Sequence, residues 1–188
     1  MARQKNEGRR QAIIDAAIVL IAREGLGAAT AAIAKEANIP NGSLFTYFPT
    51  KNDLLNQLYL EIKSEVIESV DEGFSDAIGE RAQMLHMWTR WTAWGARNAE
   101  KRRVLAQLSA SDLIPEEVKL AGYTAANRSV NLVQQVASQG ALRDQAPAFA
   151  GAIVESFAAT TMDFMIRDPA RADEISLSAF EALWKALR

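Results

Sequence analysis

Apolar residues recur three and four positions apart along almost the whole chain, and no sustained apolar–polar alternation bounded by turn residues appears in it. That periodicity confines the chain to an all-α fold. A first helix, about 7–24, carries Ile13, Ala17, Leu20 and Ile21 on one stripe with Ala12, Ala16 and Val19 beside it, and Gly25 and Gly27 end it. A short helix follows, with Thr30 as its expected N-cap and Ile33, Ala34 and Ala37 facing inward. Asn38, Ile39, Pro40 and Asn41 form a turn, and a very short third helix over 42–47 is stopped by Pro49. Thr50, with Asp53 three positions later, approximates a capping box that opens a long helix over 51–72.

Five further helices are expected at 80–98, 100–110, 115–139, 147–168 and 171–187, separated by Gly73, the 109–115 stretch, Gly140 with Pro147, and Asp168-Pro169. No repeat or low-complexity segment interrupts them. The pattern divides the chain into a small trihelical unit, residues 1–52, joined without a linker to a larger helical bundle, residues 53–188.

Composition removes several classes of function. The 188 residues include no cysteine, which excludes disulfides, thiolate zinc sites and cysteine nucleophiles, and a single histidine, His86, cannot build an imidazole metal cluster. No nucleophile motif or phosphate loop appears, so no catalytic residue, metal or cofactor is expected and the chain is read as a non-enzyme. No N-terminal run has the pattern of a secretory signal, and no apolar stretch is read as long enough to span a bilayer, so the expected location is cytoplasmic with no membrane partner. Charge is unevenly placed: the first 51 residues hold seven Lys/Arg against four Asp/Glu, and the remaining 137 hold fourteen against nineteen. A basic head on an acidic body suits a chain of which one end meets phosphate.

A helix, a turn of about four residues and a second short helix, laid on a first helix, make a helix-turn-helix unit. Its second helix must be slim and polar at the tip to enter a major groove about 12 Å wide, where base edges are distinguishable. Asn41, Gly42, Ser43 and Thr46 supply that tip, while Leu44 and Phe48 fall on the side that points back into the core. Thr30 can offer its hydroxyl and nearby backbone amides to a phosphate, and Tyr47 and Lys51 flank the tip within reach of the DNA backbone. A helical hairpin of an ordinary bundle has the same periodicity, so spacing alone leaves both readings open.

The stretch RRQAIIDAAIVLIAREGLGAATAAIAKEANIPNGSLFTYFPTKNDLL, residues 9–55, resembles the N-terminal domain of TetR/AcrR-family transcriptional regulators. The likeness is clearest in the order IAREG, IAKEANI, GSLFTYFPTKNDLL, and it covers about a quarter of the chain. The resemblance implies a homodimer whose two reader helices enter successive major grooves of a palindrome-like DNA operator. It also implies a ligand-binding and dimerisation domain in the remaining helices. By it, Thr30 is the phosphate-contacting threonine, Ser43 and Thr46 read bases, Asn41 and Phe45 stand at neighbouring contact positions, Tyr47 touches the backbone and Lys51 grips a phosphate. Ala31 and Ala32 replace polar or basic residues found in many members, and Phe45 replaces a more usual tyrosine. The basic arm with Arg3, Lys5, Arg9 and Arg10 either follows the DNA backbone or minor groove or is a solvated tail.

In the body, Met84, Leu85, Met87, Trp88, Trp91 and Trp94 crowd two to three helical turns. Such a stripe is most simply core, and its functional reading is an adaptable apolar pocket for a small-molecule effector, with Met84, Trp88, Trp91, Tyr123 and Asn127 as ligand-binding candidates. His86 is read as structural, and Lys101, Arg102 and Arg103 as a solvated face. The last two helices, with Ile153, Val154, Phe157, Ala158, Thr161 and Phe164 on one and Ile175, Leu177, Phe180, Leu183 and Trp184 on the other, carry more apolar surface than one chain covers, which suits an isologous four-helix dimer interface. The expected function is a repressor released from its operator by a largely apolar effector. A transcriptional activator of the same fold, or a helical ligand-binding or interaction module without DNA binding, remains the alternative.

Overall fold

The computed structural model describes residues 2–188, with side chains described from residue 6 onward. Among the described residues there are ten α-helices and no strand: α1 (Ala2–Glu24), α2 (Thr30–Glu36), α3 (Asn41–Tyr47), α4 (Lys51–Asp71), α5 (Glu80–Arg97), α6 (Ala99–Ser109), α7 (Glu116–Ala125), α8 (Asn127–Ala137), α9 (Pro147–Arg167) and α10 (Ala172–Leu187). The all-α class therefore holds. A 3-10 turn, Pro169–Arg171, leads into α10.

The helices group into two compact units, one of Met1–Lys63 with Glu100–Gly122 and one of Ser64–Ala99 with Tyr123–Arg188. In the first, the stripe of α1 is buried at Ile13, Ala17, Leu20 and Ile21, together with Ile33 of α2, Leu44 of α3 and Leu54, Leu55, Leu58 and Tyr59 of α4. Val19 departs from the expected stripe: it is 37% exposed, because it lies on the opposite side of α1 from Ile13 and Ala17. Val104 and Leu108 of α6 complete the burial, and Gly122 lies so close to Tyr59 that a Cβ there would stand 3.0 Å from its ring.

The second unit has a core of Met84, Met87, Trp88, Leu132, Val133, Val136, Ala150, Val154, Ala158, Met162, Phe180, Leu183 and Leu187. Four buried side chains with polar groups in this unit, Trp88, Thr92, Thr161 and Ser176, all find partners. The Trp88 indole Nε1 donates to the Ser176 carbonyl at 2.9 Å, the Thr92 and Ser176 hydroxyls pair at 2.9 Å, and Thr161 donates to the Phe157 carbonyl at 2.7 Å. Two glycines permit close approach: a Cβ on Gly95 would meet Met162 Sδ at 2.3 Å, and one on Gly140 would meet the Leu187 carbonyl at 1.9 Å. At the start of α5, hydrogen bonds from Gln139 and Gln135 hold the Glu80 carboxyl below its ordinary pKa.

Two expectations need correction. The single helix expected over 115–139 is two, α7 and α8, broken at Ala126 (φ −88°, ψ 15°), where the Ala126 amide turns back to the Tyr123 carbonyl. The segment has no proline or glycine at the break. The physical difference is that the two helices serve separate cores, Gly122 packing on Tyr59 and Leu132, Val133 and Val136 filling the other unit. The second correction concerns α9. By length and composition it is the one described helix apolar enough to cross a membrane. Ala150, Val154, Ala158, Thr161, Met162 and Met165 nevertheless bury one of its faces, as in the core helix of a globular unit.

Trp88→Phe keeps most of the core volume but removes the indole donor that adds a second hydrogen bond to the Ser176 carbonyl and a direct link between α5 and α10. It is expected to cost about 1–3 kcal/mol, read as a lower urea midpoint at unchanged transition slope.

Candidate nucleic-acid interface

The reader is built from chain reversals that leave few backbone groups unpaired. α1 ends where Gly25 takes φ +81°, its amide bonding the Ile21 carbonyl at 2.9 Å. α2 begins one residue earlier than expected: Ala29, extended at φ −74° and ψ 137°, is the N-cap, and its carbonyl accepts from Ala32 and Ile33. Thr30 is therefore the first helical residue and makes no capping bond. The end of α2 is a Schellman turn. Asn38 adopts φ 53°, its amide bonding the Lys35 carbonyl, while the Ile39 amide reaches the Ala34 carbonyl at 3.0 Å. Asparagine tolerates that left-handed conformation better than most residues. Four residues, 37–40, thus separate α2 from α3, the turn length expected of the motif.

Each face of α3 has one task. Leu44 is fully buried and Phe48, just past the helix, nearly so. Asn41, Gly42, Phe45 and Thr46 face solvent, Phe45 with 42% of its surface exposed, and Ser43 and Tyr47 are half-buried beside them. The side chains of Thr30, Asn41, Ser43 and Thr46 make no hydrogen bond among the described residues, so their donors and acceptors remain available. The same is true of Lys35 and Asn38, two exposed residues that helical periodicity alone did not single out. The signal was present: Ala31 and Lys35 stand four apart, on one face of α2.

Lys51 has a partner within the chain. It is half-buried, and its Nζ donates to the Leu26 carbonyl at 2.7 Å, tying the first turn of α4 to the α1–α2 connection. Next to it the capping box is complete: the Asp53 amide donates to the Thr50 hydroxyl at 3.1 Å, and the Asp53 carboxylate accepts from the Thr50 amide at 2.9 Å and its hydroxyl at 2.8 Å. In the basic arm, the side chains of Arg3 and Lys5 lie outside the described residues. α1 already runs from Ala2, so the arm is helix rather than tail. Arg9 is exposed, whereas Arg10 is partly buried, paired with Glu61 and lying 5.5 Å from the centre of the Phe48 ring. Arg10 thus braces the residue that anchors α3.

Two of the 101–103 cations are less solvated than expected, while Arg103 is exposed as read. Lys101 and Arg102 are half-buried, and Arg103 donates to the Ala22 carbonyl at 3.4 Å. His86 is structural, as read: its Nε2 lies 3.0 Å from the Val70 carbonyl, and its ring meets Phe74 edge-on. Of the residues singled out for an effector, Met84 and Trp88 are fully buried, Trp91 is half-buried, and Tyr123 and Asn127 are exposed. A separate cleft of about 570 Å³ is lined by Glu65, Glu68, Ser69 and Glu72 of α4 and by Arg90, Trp94 and Arg97 of α5. Arg90 is committed there, donating to the Ser69 carbonyl and pairing with Glu72.

Residues 13–58 match the family of bacterial regulatory proteins, tetR family. A fatty acid metabolism regulator protein of Bacillus subtilis (strain 168) is 35% identical over 65 residues, which is 34% of this chain and 34% of that protein. The match therefore spans about a third of that relative's length. Among solved structures, a tetR family transcription regulator from Shewanella sp. PV-4 superposes with a TM-score of 0.83 at 24% identity, covering 95% of this chain and 97% of that one. The transcriptional regulator FadR from Bacillus subtilis, in complex with stearoyl-CoA, superposes with a TM-score of 0.68 at 19% identity, over 92% and 96% of the two chains. At those identities the superpositions establish the shared fold: an N-terminal helix-turn-helix domain followed by a helical body.

Thr50→Ala removes the committed cap and is expected to cost about 0.5–2 kcal/mol, seen as a lower melting temperature. Thr46→Ala removes an uncommitted hydroxyl and should leave stability within about 0.5 kcal/mol of the parent.

Proposed function

We propose, on the tetR-family match of residues 13–58 and the geometry of α3, that this chain is a ligand-responsive, sequence-specific DNA-binding transcriptional regulator, acting as a repressor. The carrying observation is the outward face of α3. Asn41, Ser43 and Thr46 hold uncommitted hydrogen-bonding groups beside the exposed Phe45 ring, on a helix fixed from behind by Leu44 and Phe48. Those groups suit base edges in the major groove, and an apolar ring suits a thymine methyl. Gly42 keeps the tip slim.

Residues 1–52 act as the reader and 53–188 as the sensing and dimerising body. Thr30, Tyr47 and Lys51 contact the DNA backbone. An ammonium carries three protons, and only one of those on Lys51 is taken by Leu26. The rest can meet a phosphate, so the bond to Leu26 orients the lysine without disarming it.

The functional unit is a homodimer formed through α9 and α10. Intramolecular packing consumes Val154, Ala158, Phe180 and Leu183, but Phe149, Phe164 and Leu177 remain about half exposed, with Ile153, Phe157 and Trp184 half-buried beside them. An apolar face of this kind supports an isologous contact. The chain acts in the cytoplasm, and on this reading it carries out no bond chemistry.

The effector is largely apolar, and we assign it to the long-chain acyl thioesters, the class bound by the FadR relative. The second unit's interior supports an apolar tail: its buried hydroxyls and indole are mutually satisfied, so it offers an entering group no unmet polar partner. Flexible methionines at 84, 87, 162 and 165 suit repacking around such a tail. Met84, Trp88 and Trp91 would contact it, and the exposed Tyr123 and Asn127 would meet its polar end. Effector and operator then exclude one another by linkage, each favouring a conformation the other disfavours.

Selection of bound fragments from random duplex DNA at near-physiological salt tests the reading. Enrichment of a two-fold symmetric site, its halves about one helical turn apart or slightly more, is the expected result. Recovery of no preferred sequence would overturn it. Lys51→Ala should weaken binding to operator and random duplex alike and lower the salt slope by about one unit per half-site, and an unchanged slope would remove the phosphate role of Lys51.

A further inference from the structure

Next to the outward face of α3 lies a cleft of about 440 Å³ between α2 and the turn that follows it. Its floor is apolar, made by Ala34, Ile39 and Pro40, and its rim is polar, made by Lys35, Asn38 and Asn41. The rim side chains are all exposed, and none makes a hydrogen bond or ion pair among the described residues. Ala31, one turn before Lys35, adds only a methyl group to the lining and leaves the mouth open. The acid nearest in sequence, Glu36, lies about 100° around the helix from Lys35 and adds to the field at Arg23, whose pKa is raised chiefly by its hydrogen bond to Glu24. Nothing in the cleft itself therefore neutralises Lys35.

An apolar floor under a cationic and amide rim matches one repeating unit of a DNA strand, in which a hydrocarbon-faced deoxyribose joins an anionic phosphate. Asn41 belongs both to the rim and to the first turn of α3, so the cleft is continuous with the base-reading surface. We propose that this cleft seats one sugar–phosphate unit of the operator backbone, flanking the base pairs that α3 reads. Lys35 Nζ donates to a phosphate oxygen and the Asn38 carboxamide to a phosphate or sugar oxygen, while Asn41, at the junction with α3, stays with the bases. The inference rests on the DNA-reading role of α3 and deepens it. Ala31 and Ala32 offer no polar group, and Lys35 adds to the Thr30 contact from one turn beyond Ala31.

The test compares full-length wild type, Lys35→Ala, Asn38→Gly and Lys185→Ala for binding to the selected operator and to a random duplex across a salt series. Asn38→Gly deletes the carboxamide while keeping a residue at ease with φ 53°, and thermal melts verify that each variant folds. Lys185, an exposed lysine on α10, controls for loss of a remote charge. Lys35→Ala is expected to reduce the slope of log affinity against log salt by about 0.9 per half-site, with equal proportional loss on both duplexes. Asn38→Gly is expected to weaken both several-fold without moving the slope, because the amide is neutral. A Lys35→Ala slope equal to that of wild type, or a change no larger than that of Lys185→Ala, overturns the proposal. Loss confined to the operator also overturns it, since that would place Lys35 on a base. Failure of the wild type to bind either duplex would instead overturn the underlying reading of α3.

Discussion

A helix of seven residues does not persist in water by itself. α3 is helical because Leu44 and Phe48 are buried behind it, each contributing about 1.5–3 kcal/mol of apolar burial, and because both its ends are fastened. A Schellman turn fixes its entry and the Thr50–Asp53 box fixes the chain beyond it. Every property assigned to the interface follows from that anchoring. With Leu44 inward, positions 41, 42, 45 and 46 face out; were the next residue inward instead, the helix would rotate by about 100° and present a different set.

The second unit is organised around a different compromise. One point in its core is specified by hydrogen bonds, where Trp88, Thr92 and Ser176 join α5 to α10. Around that point the packing relies on methionine, whose three side-chain torsions adapt to neighbours at low cost. A core pinned at one place and compliant elsewhere keeps a single fold while tolerating rearrangement of its contents, as the proposed sensing role requires.

Much of this was legible in the sequence because the signals were local. Periodicity gave the helices within a few residues, the four-residue turn and the capping box were read from spacing, and Leu44 and Phe48 were placed inward by their position on the α3 face. What was missed depended on partners distant in sequence. The bond from Lys51 to the Leu26 carbonyl, 25 positions earlier, has no local signal in the sequence. Arg10 was read as part of a loose arm, although Glu61 and Phe48 hold it. The break at Ala126 has no breaker residue and reflects two cores claiming consecutive helices. Met84 and Trp88 illustrate the limit for a ligand site, since one apolar stripe serves equally for packing and for binding.

The side chains at 41, 43, 45 and 46 face solvent or lie at its edge, and the polar ones bond to nothing else in the chain. Substitution at such positions changes folding free energy by about half a kcal/mol or less. The scaffold therefore imposes little selective pressure on the residues proposed to choose the DNA sequence. On the proposed function, a lineage built on this framework can exchange one operator for another through neutral drift at a handful of surface sites. The anchors behind them, Leu44 and Phe48, are buried and denied that freedom, so on the same reading specificity can drift here faster than the fold itself.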